Sequence, residues 1–169
     1  MDSTSWIGTK QPATQTDLEA LERQLGFRLP EDYKAHILRY NGGWPDKATF
    51  VQFLPDGERV ERSISDFYSI RYGTNTVEEV LSDLDELHPD LVPFGSETGG
   101  DQFLLSVGPK DYGAVYYLSH EFYTPPEYDY DEDTDESTPP APLDYGSGIS
   151  FLAPSFTAFL DGLTEGTPV

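Results

Sequence analysis

The chain contains no cysteine, which excludes disulfide staples, thiolate metal sites and cysteine nucleophiles. Long apolar runs are missing too, and nothing approaches the roughly 20 consecutive apolar residues that a membrane helix needs. The opening MDSTSWIGTK has neither the basic n-region nor the apolar h-region of a secretory signal. Together these absences make a cytoplasmic address the expectation. Basic residues are scarce: 10 Lys and Arg stand against 31 Asp and Glu, for a net charge of -21. The scarcity is uneven along the chain. Met1 to Arg71 holds eleven acids and nine bases, Tyr72 to Lys110 eight and one, and Asp111 to Val169 twelve and none. Such a field repels nucleic acid and anionic lipid, because binding either depends on Lys and Arg replacing counterions around phosphates. The expected partner is therefore neither nucleic acid nor membrane. The same field attracts basic surfaces and speeds encounter with them, which points to a cationic protein partner. A plainer reading of the charge is a solvated surface that keeps the chain soluble.

What is present suffices for one folded domain. At 169 residues, with 37% hydrophobic and 14% aromatic side chains, the chain can fill a single core. Thr16 with Glu19 reads as a capping box opening a helix that carries Leu18, Leu21 and Leu25 on one face and stops at Gly26. Pro30 suits the first position of a second helix, with Glu31 and Asp32 at its positive end and Tyr33, Ile37 and Tyr40 as its stripe. Ala48 to Leu54 and Glu58 to Ile64, joined by Pro55-Asp56-Gly57, predict a hairpin, with a further extended segment at Phe67 to Tyr72. Thr76 and Glu79 predict a third helix reaching His88-Pro89. Strands are expected at Leu91 to Phe94, Gln102 to Val107, Ala114 to Leu118 and Ile149 to Leu152. Ser155 caps a last helix bearing Phe156, Phe159, Leu160 and Leu163. This is an α+β chain with about four helices and about six strands. Residues 1–15 read as a flexible N-terminal segment, 16–165 as one domain, and the tail after Gly166 as loose.

One insertion, residues 121–147, interrupts that domain. Glu127, Asp129, Asp131, Glu132, Asp133, Asp135 and Glu136 crowd into ten positions, bracketed by prolines at 125, 126, 139, 140 and 142. The composition predicts an exposed and partly mobile loop outside the core. Tyr123, Tyr128 and Tyr130 do not fit a pure solubility tail, since tyrosine offers apolar area and a polar tip together and is enriched at protein interfaces; packing of these rings on the parent sheet is the alternative. Tyr128, Asp129, Tyr130, Asp131, Glu132, Asp133, Asp135 and Glu136 are the candidate partner-binding residues.

Catalytic patterns are not recognisable. The histidines, His36, His88 and His120, have no metal-ligand spacing, and no zinc-protease run, phosphate-binding loop, nucleophile elbow or dinucleotide fingerprint occurs. His36 inside a helix and His88 at a helix end fit ordinary packing or capping. His120-Glu121 follows a strand directly and, with Asp101, makes a possible pocket. Asp129, Asp131, Asp133 and Asp135 alternate like the start of a calcium loop, but Thr134 replaces the glycine and Pro140 the closing glutamate that such a loop requires. No cofactor, resident metal or enzymatic activity is expected.

Leu25-Gly26, Leu29-Pro30 with Tyr33, Asn41-Gly42-Gly43, Val92-Pro93-Phe94-Gly95, Gly99-Gly100-Asp101 and Ser155-Phe156-x-x-Phe159-Leu160 occur in an order that resembles the SUKH superfamily. The resemblance runs from about Thr16 to Leu163. It implies an α+β single domain with a twisted, mainly antiparallel sheet and peripheral helices, and no known catalytic centre. For bacterial members it implies immunity: binding and neutralising a cognate polymorphic toxin. The superfamily is linked with deaminase, ADP-ribosylating and other toxins, and among possible targets the chain's acidity favours a basic nuclease, whose groove presents Lys and Arg. Eukaryotic members act instead as regulatory interaction scaffolds, which is the alternative. The motif glycines and Pro30 read as turn and helix-start residues rather than site residues.

Overall fold

The computed structural model describes residues 5–84 and 86–166. In chain order the elements are β1 (Trp6–Ile7), α1 (Gln15–Leu25), α2 (Glu31–Arg39), β2 (Trp44–Pro45), β3 (Thr49–Phe53), β4 (Arg59–Phe67), α3 (Val77–Asp83) and β5 (Leu91–Glu97). They continue with β6 (Gln102–Ser106), β7 (Val115–Leu118), β8 (Asp129–Asp131), β9 (Glu136–Thr138), β10 (Ile149–Ala153), α4 (Phe156–Asp161) and β11 (Leu163–Thr164). Seven strands form one antiparallel sheet in the order β10-β7-β6-β5-β4-β3-β11, while β1-β2 and β8-β9 are separate two-stranded pairs. The expected α+β class and the strands from β3 to β7 and β10 are therefore present, and β11 adds a seventh strand to the sheet.

The sheet curls until its ends approach. Gln52, fully inside on β3, donates its amide across the gap to Ser150 Oγ at 2.8 Å and to the Phe151 carbonyl at 3.1 Å on β10. Strong right-handed twist and three register shifts, in the β4-β5, β5-β6 and β7-β10 pairs, allow that closure. The concave face carries Phe50, Ile64, Phe103, Leu105 and Val115, and α1, α2 and α4 cover it with Leu18, Leu21, Tyr33, Ile37, Phe156 and Phe159. Phe156 and Phe159 are fully buried among other rings, with Tyr33 at 5.1 Å from Phe156 and Phe50 at 4.9 Å from Phe159. Truncating either to alanine removes about 3–5 kcal/mol. The convex face has a smaller core of Leu87, Leu91, Leu104, Leu118 and Tyr145.

Local signals explain most boundaries, with four corrections. No separate strand forms at Phe67 to Tyr72, where an extended segment was expected: Phe67 closes β4 and the chain bends after it. α1 opens two residues earlier than the Thr16–Glu19 pairing predicts: Thr14 and Asp17 make the reciprocal box, at 3.0 and 3.1 Å. Asp17 serves there because it also reaches the Arg71 guanidinium at 3.0 Å, a partner no local pattern reveals. α3 ends at Asp83 rather than near His88, since the chain must turn to put Leu87 and His88 against the convex face. The segment 1–15, expected to be flexible, is tied down over its described part. β1 pairs with β2, Trp6 packs against His36, Tyr40 and Phe67, and the buried Asn41 donates to the Gln11 carbonyl at 2.8 Å while clasping both backbone groups of Ile70. Gly43 in Asn41-Gly42-Gly43 sits at φ +81, where a Cβ would lie 2.3 Å from the Ile7 carbonyl, so that motif holds the N-terminal segment. The loose tail expected after Gly166 lies outside the described residues.

Candidate functional site

The acidic insertion is more ordered than its composition suggests. Thr124 and Ser147 close its base with two backbone hydrogen bonds of 3.0 Å. At its far end β8 and β9 pair antiparallel, Asp129 opposite Thr138 and Asp131 opposite Glu136. The turn between them is built from the acids themselves: Asp131 Oδ1 accepts the Asp133 amide at 2.9 Å, and its carbonyl accepts the Asp135 amide at 2.9 Å. Aspartate favours such turns because its side chain substitutes for a backbone acceptor and tolerates positive φ, here +57 at Asp135. The loop expected to be exposed and partly mobile thus contains a paired hairpin. Every carboxylate from Glu127 to Glu136 is exposed, and so are Tyr128 and Tyr130.

A clasp fixes this hairpin to the convex face. Tyr145, placed outside the core by its surroundings in the sequence, is buried at 6% exposure and donates its hydroxyl to Asp111 Oδ2 at 2.6 Å. Asp111 also accepts the hydroxyls of Ser106 and Tyr116, each at 2.5 Å, so three donors from three segments converge on one carboxylate. Burial first, and the Asp111 hydrogen bond second, push the Tyr145 hydroxyl well above the ordinary tyrosine range. His88 completes the clasp. Its Nδ1 accepts the Asp90 amide at 3.0 Å, which leaves Nε2 to carry the proton toward the Ala141 carbonyl at 3.0 Å, and its ring meets Tyr145 edge-on at 4.9 Å. Gly146, at φ +89, lets the returning strand pass where a Cβ would fall 2.2 Å from the Thr124 carbonyl. Tyr123 packs partly on the same small core, so the tyrosines divide: Tyr123 and Tyr145 serve the fold, Tyr128 and Tyr130 face solvent.

The structure brings Asp101 and His120 together and leaves Glu121 exposed, with no hydrogen bond or ion pair to either among the described residues. Asp101 Oδ1 accepts the His120 amide at 2.9 Å and lies 2.5 Å from its Nδ1. The Tyr117 hydroxyl is shared between Asp101 and Glu97, while the Arg62 guanidinium lies over the Tyr117 ring, 3.9 Å from its centroid, and donates Nε to Gln52 at 2.8 Å. Burial works to raise the Asp101 carboxyl, but hydrogen bonds from Tyr117 and from the His120 amide and ring outweigh it and hold the carboxyl below its usual range. The result is a hydrogen-bonded chain along the rim of the curled sheet. Asp101 turns and orients the imidazole, whose other nitrogen is open to solvent in a half-exposed ring. Among the described residues, no hydroxyl or amine nucleophile hydrogen-bonds that nitrogen.

Clefts lie at the insertion. One of about 550 Å³ is lined by Pro125, Pro126, Pro139, Pro140 and the carboxylates Glu127, Asp129 and Asp144. Its neighbour of about 310 Å³ shares Pro125 and Pro126 and adds Glu86 and Tyr128. Among the described residues there is no group of three or more His, Asp or Glu side chains placed to hold a metal ion, so the alternating aspartates do not converge. Sequence reasoning missed Asp111, His88, Tyr145, Arg62 and Tyr117 as positioning residues. Their partners lie 2 to 55 residues away in the chain, and no periodicity marks such pairs.

The structure is an acidic α+β domain that carries a projecting hairpin on an ordered base. The chain belongs to the SMI1 / KNR4 family (SUKH-1), whose family model matches residues 12–162. No curated protein matches the chain. Membership places the chain among protein-interaction or immunity domains. Among the described residues no helix is long and apolar enough to cross a membrane.

Proposed function

We propose that this chain is a non-catalytic immunity protein that binds a cognate bacterial polymorphic toxin and blocks it, with a basic nuclease as the target. The observation that carries the proposal is the clasped hairpin: Tyr128, Asp129, Tyr130, Asp131, Glu132, Asp133, Asp135 and Glu136 stand exposed on a support that the core holds in place. A nuclease groove presents Lys and Arg arranged for phosphates, and a rigid row of carboxylates occupies such a groove by the same electrostatics. Two exposed tyrosines among the acids supply the apolar contact that charge alone lacks. The absence of any base between Asp111 and Val169 keeps that field uniform in sign. Inside the cell that makes it, the chain would act stoichiometrically, covering the toxin rather than altering it.

The test is co-production with the product of a neighbouring toxin gene. Restored growth, a one-to-one complex in solution, and loss of toxin turnover in proportion to added protein are the expected results. Protection that is catalytic in the amount of this chain, or a toxin left fully active in a stable complex, would overturn the reading.

A further inference from the structure

The contact surface expected from composition is the tip of the acidic hairpin. The structure also shows something at its base that composition does not: a groove. It is formed by two adjacent clefts that share Pro125 and Pro126, with Glu86 and Tyr128 lining one and Glu127, Asp129 and Asp144 the other. Prolines and carboxylates dominate its walls. Pro125, Pro126, Pro139 and Pro140 contribute carbonyls and ring faces but no N–H. Glu86, Glu127, Asp129 and Asp144 contribute acceptors only when ionised. The amides at the groove's closed end, Thr124 and Ser147, are already spent on each other, and the Asp144 amide on the Ala141 carbonyl.

The complement of such a groove is an occupant rich in donors, positively charged, and slim enough to lie between proline walls. Arginine fits each requirement: a planar fork of five donors, a permanent charge, and a flat face that stacks on rings such as Tyr128. The groove is also preformed. The Thr124–Ser147 bridge, the His88 bond to Ala141 and the Tyr145 bond to Asp111 fix its walls, so little ordering remains to oppose binding. A second copy of this chain is a poor occupant, because the matching surface is equally acidic.

We infer that the Pro125–Pro126 groove is a docking site for an extended, arginine-bearing segment of the protein partner. It deepens the toxin-binding reading and rests on it for the partner's identity. The groove holds the partner and governs release, while the exposed tip from Asp131 to Glu136 steers approach.

A fluorescent nonapeptide of alternating Arg and Ala, titrated into the full chain, tests this without a toxin. Expected are saturable one-to-one binding and amide shifts in NMR confined to residues 86, 124, 127–129, 141 and 143–147. The double variant Glu127→Gln, Asp144→Asn should weaken binding at least fivefold, whereas Asp131→Asn, Glu132→Gln, Asp133→Asn should weaken it less than twofold. Because these positions are exposed or sit at the groove lip, both variants keep the wild-type melting curve, which is checked first. Shifts spread over all carboxylates, with equal weakening by both variants, would show an ion atmosphere and overturn the proposal, as would no saturable binding. Any of these leaves neutralisation untouched, since that reading stands or falls on the growth assay above.

Discussion

His36 offers a sharp test of how this core is built. Its ring is 8% exposed and packs against Trp6 at 4.5 Å, Phe156 at 5.2 Å, Tyr40 at 5.6 Å and Phe67 at 5.7 Å, while its Nε2 has no hydrogen-bond partner among the described residues. Burial, and then the Arg39 charge one turn along α2, lower its pKa from the ordinary 6.5 to about 4. The folded protein therefore keeps this ring neutral, whereas the unfolded chain takes up a proton below about pH 6.5. The contribution is complete above that pH and is lost as pH falls toward 4. Between pH 7.5 and pH 5.0 the linkage amounts to about 2 kcal/mol of lost stability. Other groups titrate in the same range, and relaxing carboxylate repulsion pushes the other way, so the quantity to read is a difference. Urea unfolding of wild type and of His36→Phe at the two pH values cancels the shared terms. The wild type should lose about 2 kcal/mol more than the variant, equivalent to roughly 4–8 °C in melting temperature for a chain of this size. Parallel curves, with the two proteins losing the same stability, would refute the claim that His36 is buried neutral.

Trp6→Ala, or removal of residues 1–12, should destabilise the fold by about 2–3 kcal/mol, read by chemical denaturation, because the N-terminal segment closes the His36 aromatic cluster. Tyr145→Phe should cost about 1–2 kcal/mol and leave the Asp111 carboxylate short of a donor; hydrogen exchange at Thr124 and Ser147 should speed up before that of β5 or β6. Asp129→Asn, Asp131→Asn, Glu132→Gln and Asp133→Asn together should slow association with the proposed toxin partner several-fold at low salt and hardly at all at high salt. Stopped-flow kinetics measures this, and the melting point should stay unchanged because these side chains are exposed.

The main sheet was legible wherever the signal is local. Pro55-Asp56-Gly57 between two β-rich runs produced the β3-β4 hairpin, and Ser155 and Thr76 cap the helices assigned to them. The first capping box was misplaced by two residues because Thr14–Asp17 and Thr16–Glu19 share one spacing, and only the distant Arg71 decides between them. The insertion was harder for a physical reason. Its composition reads as unable to bury anything, and that is correct for residues 127–138; the order comes from a single buried tyrosine and a histidine whose partners are remote in the chain. Trp6 was passed over for the same cause, since two-residue strands carry no periodicity.

The two faces of the sheet explain how one chain carries so much charge and still folds. The large phenylalanine cluster lies on the concave face, beneath α1, α2 and α4, where acids are few and those near the boundary are matched: Asp17 by Arg71, Glu22 by Lys34. The convex face buries only a small cluster, and there the acidic insertion is attached through Tyr145, His88 and Tyr123. Repulsion among the hairpin carboxylates is thereby kept in water, at a distance from the main core, where screening limits it to roughly a Debye length of about 8 Å at physiological salt. Substitutions on the hairpin can then alter what the surface attracts without touching Phe156 or Phe159. An interaction surface that must track a changing partner needs that separation, and a clasp of few contacts supplies it. If the separation holds, stability and association rate should vary independently across hairpin variants; a strict correlation between the two would mean that the hairpin belongs to the core after all.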